Sequence, residues 1–211
     1  MPRETFFNLK EEKQQRILNA ALREIAAQGY DKASVTRIVK DAGIATGSFY
    51  QYFEDMADLF VYIGQEAARL KAQYMRRELE KDTQHSLEGF IRAMYRGGLQ
   101  FGLEHKEYFR AAQSFLQIKD TELYRRMVAN VDKTDLFVWL YTFVSQAIAN
   151  GDLPAGITPE LFFRLVSNIN TTIIEYLLAA KPGGGMNMDD LETLCELGVQ
   201  ILLYGIQKPK T

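Results

Sequence analysis

Residues 34–53, SVTRIVKDAGIATGSFYQYF, read as two short amphipathic segments joined at Gly43. The first can start at Ser34, whose hydroxyl can accept from the free backbone N–H groups of a first helical turn. Ile38, Val39 and Ala42 then follow at helical spacing as a buried face. Gly43 tolerates the left-handed conformation that closes a helix, and only Gly43 to Ala45 remain before Thr46 can cap the next one. A connection that short forces the two helices to cross steeply. In the second segment Phe49 and Phe53 share one face, which leaves Ser48, Tyr50, Gln51 and Tyr52 over the sides and front. These side chains can reach a phosphate or a base edge. The pattern is that of a helix-turn-helix.

The surrounding stretch, Arg16 to Leu59, resembles the N-terminal DNA-binding domain of the TetR (tetracycline repressor) family of bacterial transcriptional regulators. The matching elements are the RILNAA opening, Gly29-Tyr30, Thr36, the Ala42-Gly43-Ile44 turn, Gly47-Ser48-Phe49-Tyr50, Tyr52-Phe53 and an acidic helix start ending in Leu59. The resemblance implies a DNA surface of Ser34, Thr36, Arg37, Lys40, Thr46, Gly47, Ser48, Tyr50, Gln51 and Tyr52. Within it, Tyr50 and Tyr52 are expected at phosphates, and Thr36, Arg37, Ser48 and Gln51 at base edges. The family commonly carries further basic residues at the positions of Thr46, Gln51 and Met56, all uncharged here, so a shallower salt dependence is expected.

Bulk charge does not point to DNA. The net charge is −2, and residues 1–56 hold eight basic and eight acidic side chains. The local signal is Lys32, Arg37 and Lys40, grouped around the first helix of the motif, where a backbone-crossing helix meets phosphates. With 211 residues, 47% of them hydrophobic and five prolines, the chain has enough apolar sequence for a small domain plus a larger one with its own core. No run approaches the eighteen or more apolar residues of a membrane span, and MPRETFFNLKEEK lacks the apolar core of a signal peptide. A cytoplasmic protein is expected. The single cysteine, Cys195, reads as a small buried hydrophobe.

The expected architecture is all-α, with about nine helices and no internal repeat: a three-helix DNA-binding domain over 1–56 and a larger ligand-binding and dimerisation domain over 57–211. Helices are expected at 10–28, from Asp55 to Leu79, and at about 86–104, 106–117, 120–149, 159–180 and 188–207. Thr158 before Pro159 is a strong start signal, because proline at the first helical position loses no needed donor. The last two helices are expected to pair with those of a second copy as a four-helix bundle, through Leu165, Ile169, Ile173, Leu191, Leu194, Gly198, Leu202 and Gly205. Gly198 and Gly205 would let a partner backbone come close.

Aromatic residues and methionines crowd the middle of the chain, interspersed with glycines. Such a stripe is commonly core, but glycine pairs leave space and methionine and aromatic walls suit apolar ligands. In the resembled family this region holds an inducer pocket. The candidate lining is Phe90, Met94, Tyr95, Phe101, Tyr108, Phe115, Met127, Trp139 and Phe143, with Asn168, Thr172 and Glu175 as polar groups. The expected ligand is a small hydrophobic or aromatic molecule.

No constellation for catalysis appears. His85 and His105 lack partner motifs, and the glycines at 183–185 lack the following Lys-Ser/Thr of a phosphate loop. Neither an enzyme nor a resident cofactor or metal is expected. The reading is a homodimeric, ligand-responsive repressor that releases a palindromic double-stranded operator, with no membrane partner. The alternative is a dimeric helical ligand- or partner-binding protein whose DNA head has weakened.

Overall fold

A short first helix, α1 (Glu4–Phe7), precedes the expected elements, and its one buried residue gathers the aromatic side chains of later helices around it. The Phe6 ring lies 4.9 Å from Phe53, 5.6 Å from Tyr62 and 6.3 Å from Tyr52. Arg3 donates its backbone N–H to the Tyr52 carbonyl at 2.8 Å, which ties this helix to the end of the motif. Sequence reading missed α1 because four residues carry too little periodicity to register.

The computed structural model describes residues 1–81, 86–108, 111, 121–128, 135–154, 156–180 and 188–205. Among these are ten α-helices and no strand. α2 (Glu11–Gln28) buries Ile17, Leu18, Ala21, Leu22 and Ile25 as its apolar stripe and stops at Gly29, whose φ is +73°. After a single 3₁₀ turn come α3 (Val35–Ala42) and α4 (Thr46–Tyr52). Gly43 sits between them in the left-handed conformation, φ +65° and ψ +42°, as the turn requires.

α5 (Met56–Leu79) is one continuous helix. Asp55 caps it, accepting the Asp58 N–H at 2.7 Å. α6 (Leu87–Glu104) is capped by Ser86 at the Gly89 N–H, 2.9 Å. Of the expected helix over 120–149, the stretches α7 (Thr121–Val128) and α8 (Asp135–Asn150) are described, and 129–134 lie outside the described residues. Of the expected helix at 106–117, residues 106–108 and 111 are helical and the remainder lies outside the described residues. α9 (Pro159–Ala180) starts as the sequence indicated, with Thr158 accepting the Leu161 N–H at 3.2 Å. α10 (Met188–Tyr204) ends earlier than expected, because Gly205 takes φ +76° and closes it. No described helix is long and apolar enough to cross a membrane.

The chain folds as two compact units: Met1–Leu70 with Glu104–Lys133, and Lys71–Leu103 with Thr134–Thr211. The first therefore takes in more than the expected 1–56. Its single hydrophobic core runs from Phe6 through Ile38, Phe49 and Ile63 to Ala111 and Leu123. Asp58, 1% exposed, accepts the Glu54 N–H at 3.3 Å and faces Arg126 of α7 at 3.8 Å. In the second unit α6 packs so tightly on α5 that a Cβ at Gly97 would stand 2.6 Å from the Met75 backbone. Gly97 thus makes a close helix crossing, not the open space expected of the glycine pair at 97–98.

Candidate functional site

The helix-turn-helix rests on a buried floor of Ile38, Val39, Ala42, Phe49 and Phe53, which fixes the angle of α3 and α4. Phe49 and Phe53 lie 5.4 Å apart, centroid to centroid. Above that floor Thr36, Arg37, Lys40, Thr46, Gly47, Tyr50 and Gln51 are exposed, and Ser34 and Ser48 are half-buried. Beyond its own helix and chain neighbours, none of the described residues lies within 4 Å of where a Cβ on Gly47 would stand, so its side of α4 is open to close approach by another molecule.

Three sequence expectations change here. Tyr52 does not join the exposed set: it is 6% exposed, beneath α1, with its hydroxyl 3.3 Å from Lys13 Nζ and the ammonium 5.7 Å from the ring centroid. The missed α1 is the reason. Ser34 and Thr46 do not cap through their side chains. Thr46 is the first residue of α4, with Ala45 at the N-cap, and Ser34 instead donates its backbone N–H to Glu24 Oε1 at 3.0 Å.

The same Glu24 carboxylate accepts from Arg37 Nε at 2.7 Å, and Arg37 also donates to the Lys32 carbonyl at 2.6 Å. Arg37 therefore braces the start of α3, and the hydrogen bond to Glu24 raises its pKa further. Its charge is partly neutralised, which leaves Lys40 and Lys32 as the exposed cations of this face. A second exposed pair, Arg23–Asp41 at 2.8 Å, ties α2 to α3 and contributes at most about 1 kcal/mol.

In the second unit, Phe90, Met94, Tyr95 and Phe101 are all buried, and the Phe90 and Phe143 rings stack at 4.4 Å. Tyr95 is packing material as much as lining: its ring fills the space over Gly198, where a Cβ would meet Cζ at 2.8 Å. Gly198 thus admits a side chain of its own chain, not a partner backbone, and Gly205 lies past the helix end. Ile173 and Leu194 are buried within the chain as well, 8% and 4% exposed, and so are unavailable to a second copy.

Asn168 and Thr172, expected among the ligand's polar contacts, are exposed. They share the outer stripe of α9 with Leu161, Leu165 and Tyr176, which recur at helical spacing, while Phe162, Val166, Asn170 and Ile173 face inward. Among the described side chains of α9 the interior polar group is Asn170, two residues from each of those expected. Tyr108 belongs to the first unit, half-buried against its core, where burial pushes its phenol up to about 12. Phe115 lies outside the described residues, as do the side chains of Met127, Trp139, Glu175 and Leu191 on their helices. Ile169 and Leu202 are half-buried.

Cys195 is fully buried, its thiol donating to the Arg92 carbonyl at 3.6 Å, and burial pushes its pKa up to about 11. Since the thiolate is the reactive form, the native protein should resist a thiol-specific reagent at pH 8 and react once in denaturant. Stoichiometric labelling of the folded chain would contradict this burial.

A helix pair joined by a three-residue turn on an apolar floor, with exposed polar and tyrosine side chains on the second helix, is the head of a DNA-binding transcriptional regulator. A family model described as "Bacterial regulatory proteins, tetR family" matches residues 17–63. That match covers the helix-turn-helix head, which is of the TetR type. The fatty acid metabolism regulator protein of Bacillus subtilis (strain 168) is 23% identical over 93% of this chain and 97% of its own. A TetR-family transcriptional regulator from Chloroflexus aurantiacus J-10-FL superposes with a TM-score of 0.70 at 25% identity, covering 99% of this chain and all of that one. The fold is also that of FadR from Bacillus subtilis, solved in complex with stearoyl-CoA: TM-score 0.73, 18% identity, 92% of this chain and 99% of that one.

Proposed function

We propose that this regulator is a homodimeric, non-catalytic repressor in the cytoplasm that holds a palindromic operator and releases it when a hydrophobic small molecule binds its larger helical part. The observation that carries the reading is the uncovered face of α3 and α4, where Thr36, Thr46, Gly47, Tyr50 and Gln51 stand exposed over a rigid floor. In this reading residues 1–56 supply the DNA contacts and 57–211 the ligand and dimer contacts. The stearoyl-CoA bound by the Bacillus subtilis structure supports an acyl-chain ligand here, as does an interior walled by phenylalanine and methionine.

Two recognition helices must enter major grooves about 34 Å apart, so the operator reading needs a two-fold axis. The outer stripe of α9, with Leu161, Leu165 and Tyr176, and the exposed Leu197 and Tyr204 of α10 offer apolar surface for a second copy. α5 passes without a break from one compact unit into the other, which makes it the candidate lever. A ligand that favours the head spacing unsuited to DNA weakens DNA binding by the factor by which DNA weakens ligand binding.

Gel shift against the promoter region beside its own gene, with and without palmitoyl-CoA, tests the reading. A specific complex that the ligand dissolves is expected. Absence of any specific complex favours the weakened-head alternative, for which the braced Arg37 and uncharged α4 speak. Tyr50→Phe should lower affinity for all sequences alike, and Gln51→Ala should relax discrimination at one base pair. Equal losses by both variants on specific and nonspecific DNA would overturn that division of roles.

A further inference from the structure

Phe90, Met94, Phe101, Val166 and Ile173 are among the buried apolar side chains of the second unit, and besides Glu78, which is ion-paired with Lys81, two described side chains break the pattern. Asn170 of α9 is 8% exposed. Lys71 of α5 is half-buried along its length, with its ammonium withdrawn from water. Both meet at Gly98 of α6: the position of a Cβ there would be 3.2 Å from Asn170 Nδ2, 3.3 Å from Lys71 Cε and 3.8 Å from Lys71 Nζ. The amide nitrogen and the ammonium therefore face one patch of α6, on a residue whose lack of a side chain leaves them room.

Neither group has a hydrogen-bond or ion-pair partner among the described residues. Burial alone lowers the Lys71 pKa, with no carboxylate beside it to hold the charge. An ammonium partly withdrawn from water with no ion-pair partner is costly to the fold. A lysine ammonium only donates, and the amide atom turned to the same patch is the donating nitrogen. What the pair lacks is an acceptor, best an anionic one.

We propose that Lys71 and Asn170 seat the polar end of the ligand, an acyl carboxylate or thioester carbonyl, while its apolar chain lies among the surrounding aromatic and methionine side chains. The inference rests on the ligand-controlled reading above and specifies where and by what chemistry the ligand is held. Because a methyl or methylene group would satisfy neither donor, the pair discriminates for an accepting head over a purely apolar molecule of equal length.

The test uses the full-length protein and three probes of equal chain length in calorimetric titration: palmitate, palmitoyl-CoA and hexadecanol. The wild-type protein is expected to bind palmitate or palmitoyl-CoA more tightly than hexadecanol, the preferred one identifying a carboxylate or a thioester head. Lys71→Met and, independently, Asn170→Leu should weaken the accepting ligand by about tenfold or more and hexadecanol, whose neutral hydroxyl is a weaker acceptor, by much less. Lys71→Met should melt no lower than wild type without ligand, since it removes an unpaired buried charge. If both variants bind all three probes as wild type does, the seat is overturned and the ligand reading stands. If the wild-type protein binds none of the three, both fall.

Discussion

Phe49→Ala should remove about 4 kcal/mol of stability and abolish operator binding. The ring is completely buried, its centroid 5.3 Å from Tyr50 and 5.4 Å from Phe53, between the two helices that must cross at a fixed angle. Truncating a buried phenylalanine loses both its transfer free energy and the contacts around the cavity left behind, about 3–5 kcal/mol in a well-packed core. Marginal stability leaves little reserve against a loss of that size. Urea unfolding followed by far-ultraviolet circular dichroism, with gel shift on the same samples, measures both effects. A loss below about 1 kcal/mol would mean that the inner face of α4 is not the floor of the head.

Gly97→Ala should cost about 2–3 kcal/mol, whereas the same exchange at Gly47 should add up to about 1 kcal/mol. In isolation both replacements favour the helix. At Gly97 the new Cβ would meet the Met75 Cα and N at 2.6 Å and the Tyr74 carbonyl carbon at 2.9 Å, all backbone atoms that no rotamer change moves aside. At Gly47 it would meet none of the described residues beyond its own helix within 4 Å. Thermal unfolding of the two variants decides the matter by sign. If Gly97→Ala also stabilised, the tight crossing of α5 and α6 would be wrong. A Gly47→Ala protein that gains stability yet loses operator affinity would show that the glycine serves the DNA and not the fold.

The head was legible in the sequence because its signals are local. The Ala42-Gly43-Ile44 turn, the Ile38-Val39-Ala42 face and the Phe49/Phe53 pair each need only helical spacing and one left-handed glycine to be read. What escaped were effects set by distant segments. Tyr52 falls at the border of the Phe49/Phe53 face on a wheel drawn from residues 46–53 alone, and α1, folding back from the N-terminus, covers it. Glu24 lies ten residues before Ser34, and nothing local shows that it supplants the serine hydroxyl and occupies Arg37.

In the second unit, glycines gave an ambiguous signal. Gly97, Gly98 and Gly198 could as well make room for a ligand or a partner as for the chain itself, and the structure assigns them to Met75, to Asn170 with Lys71, and to Tyr95. Placing polar residues on α9 failed for a simpler reason. A helix seen without neighbours has no marked inside, so Asn168 and Thr172 were indistinguishable from Asn170 until the buried Phe162, Val166 and Ile173 fixed its rotation.

Ala111 and Leu123 belong to the same core as Phe6, Ile38 and Phe49. Anyone transplanting this regulator's operator preference onto another ligand sensor must therefore carry more than the first quarter of the gene. A graft cut after Met56 strips the recognition module of Phe60 and Ile63 beneath it and of Ala111 and Leu123 beyond, so working hybrids should be those that preserve both sides of that shared packing.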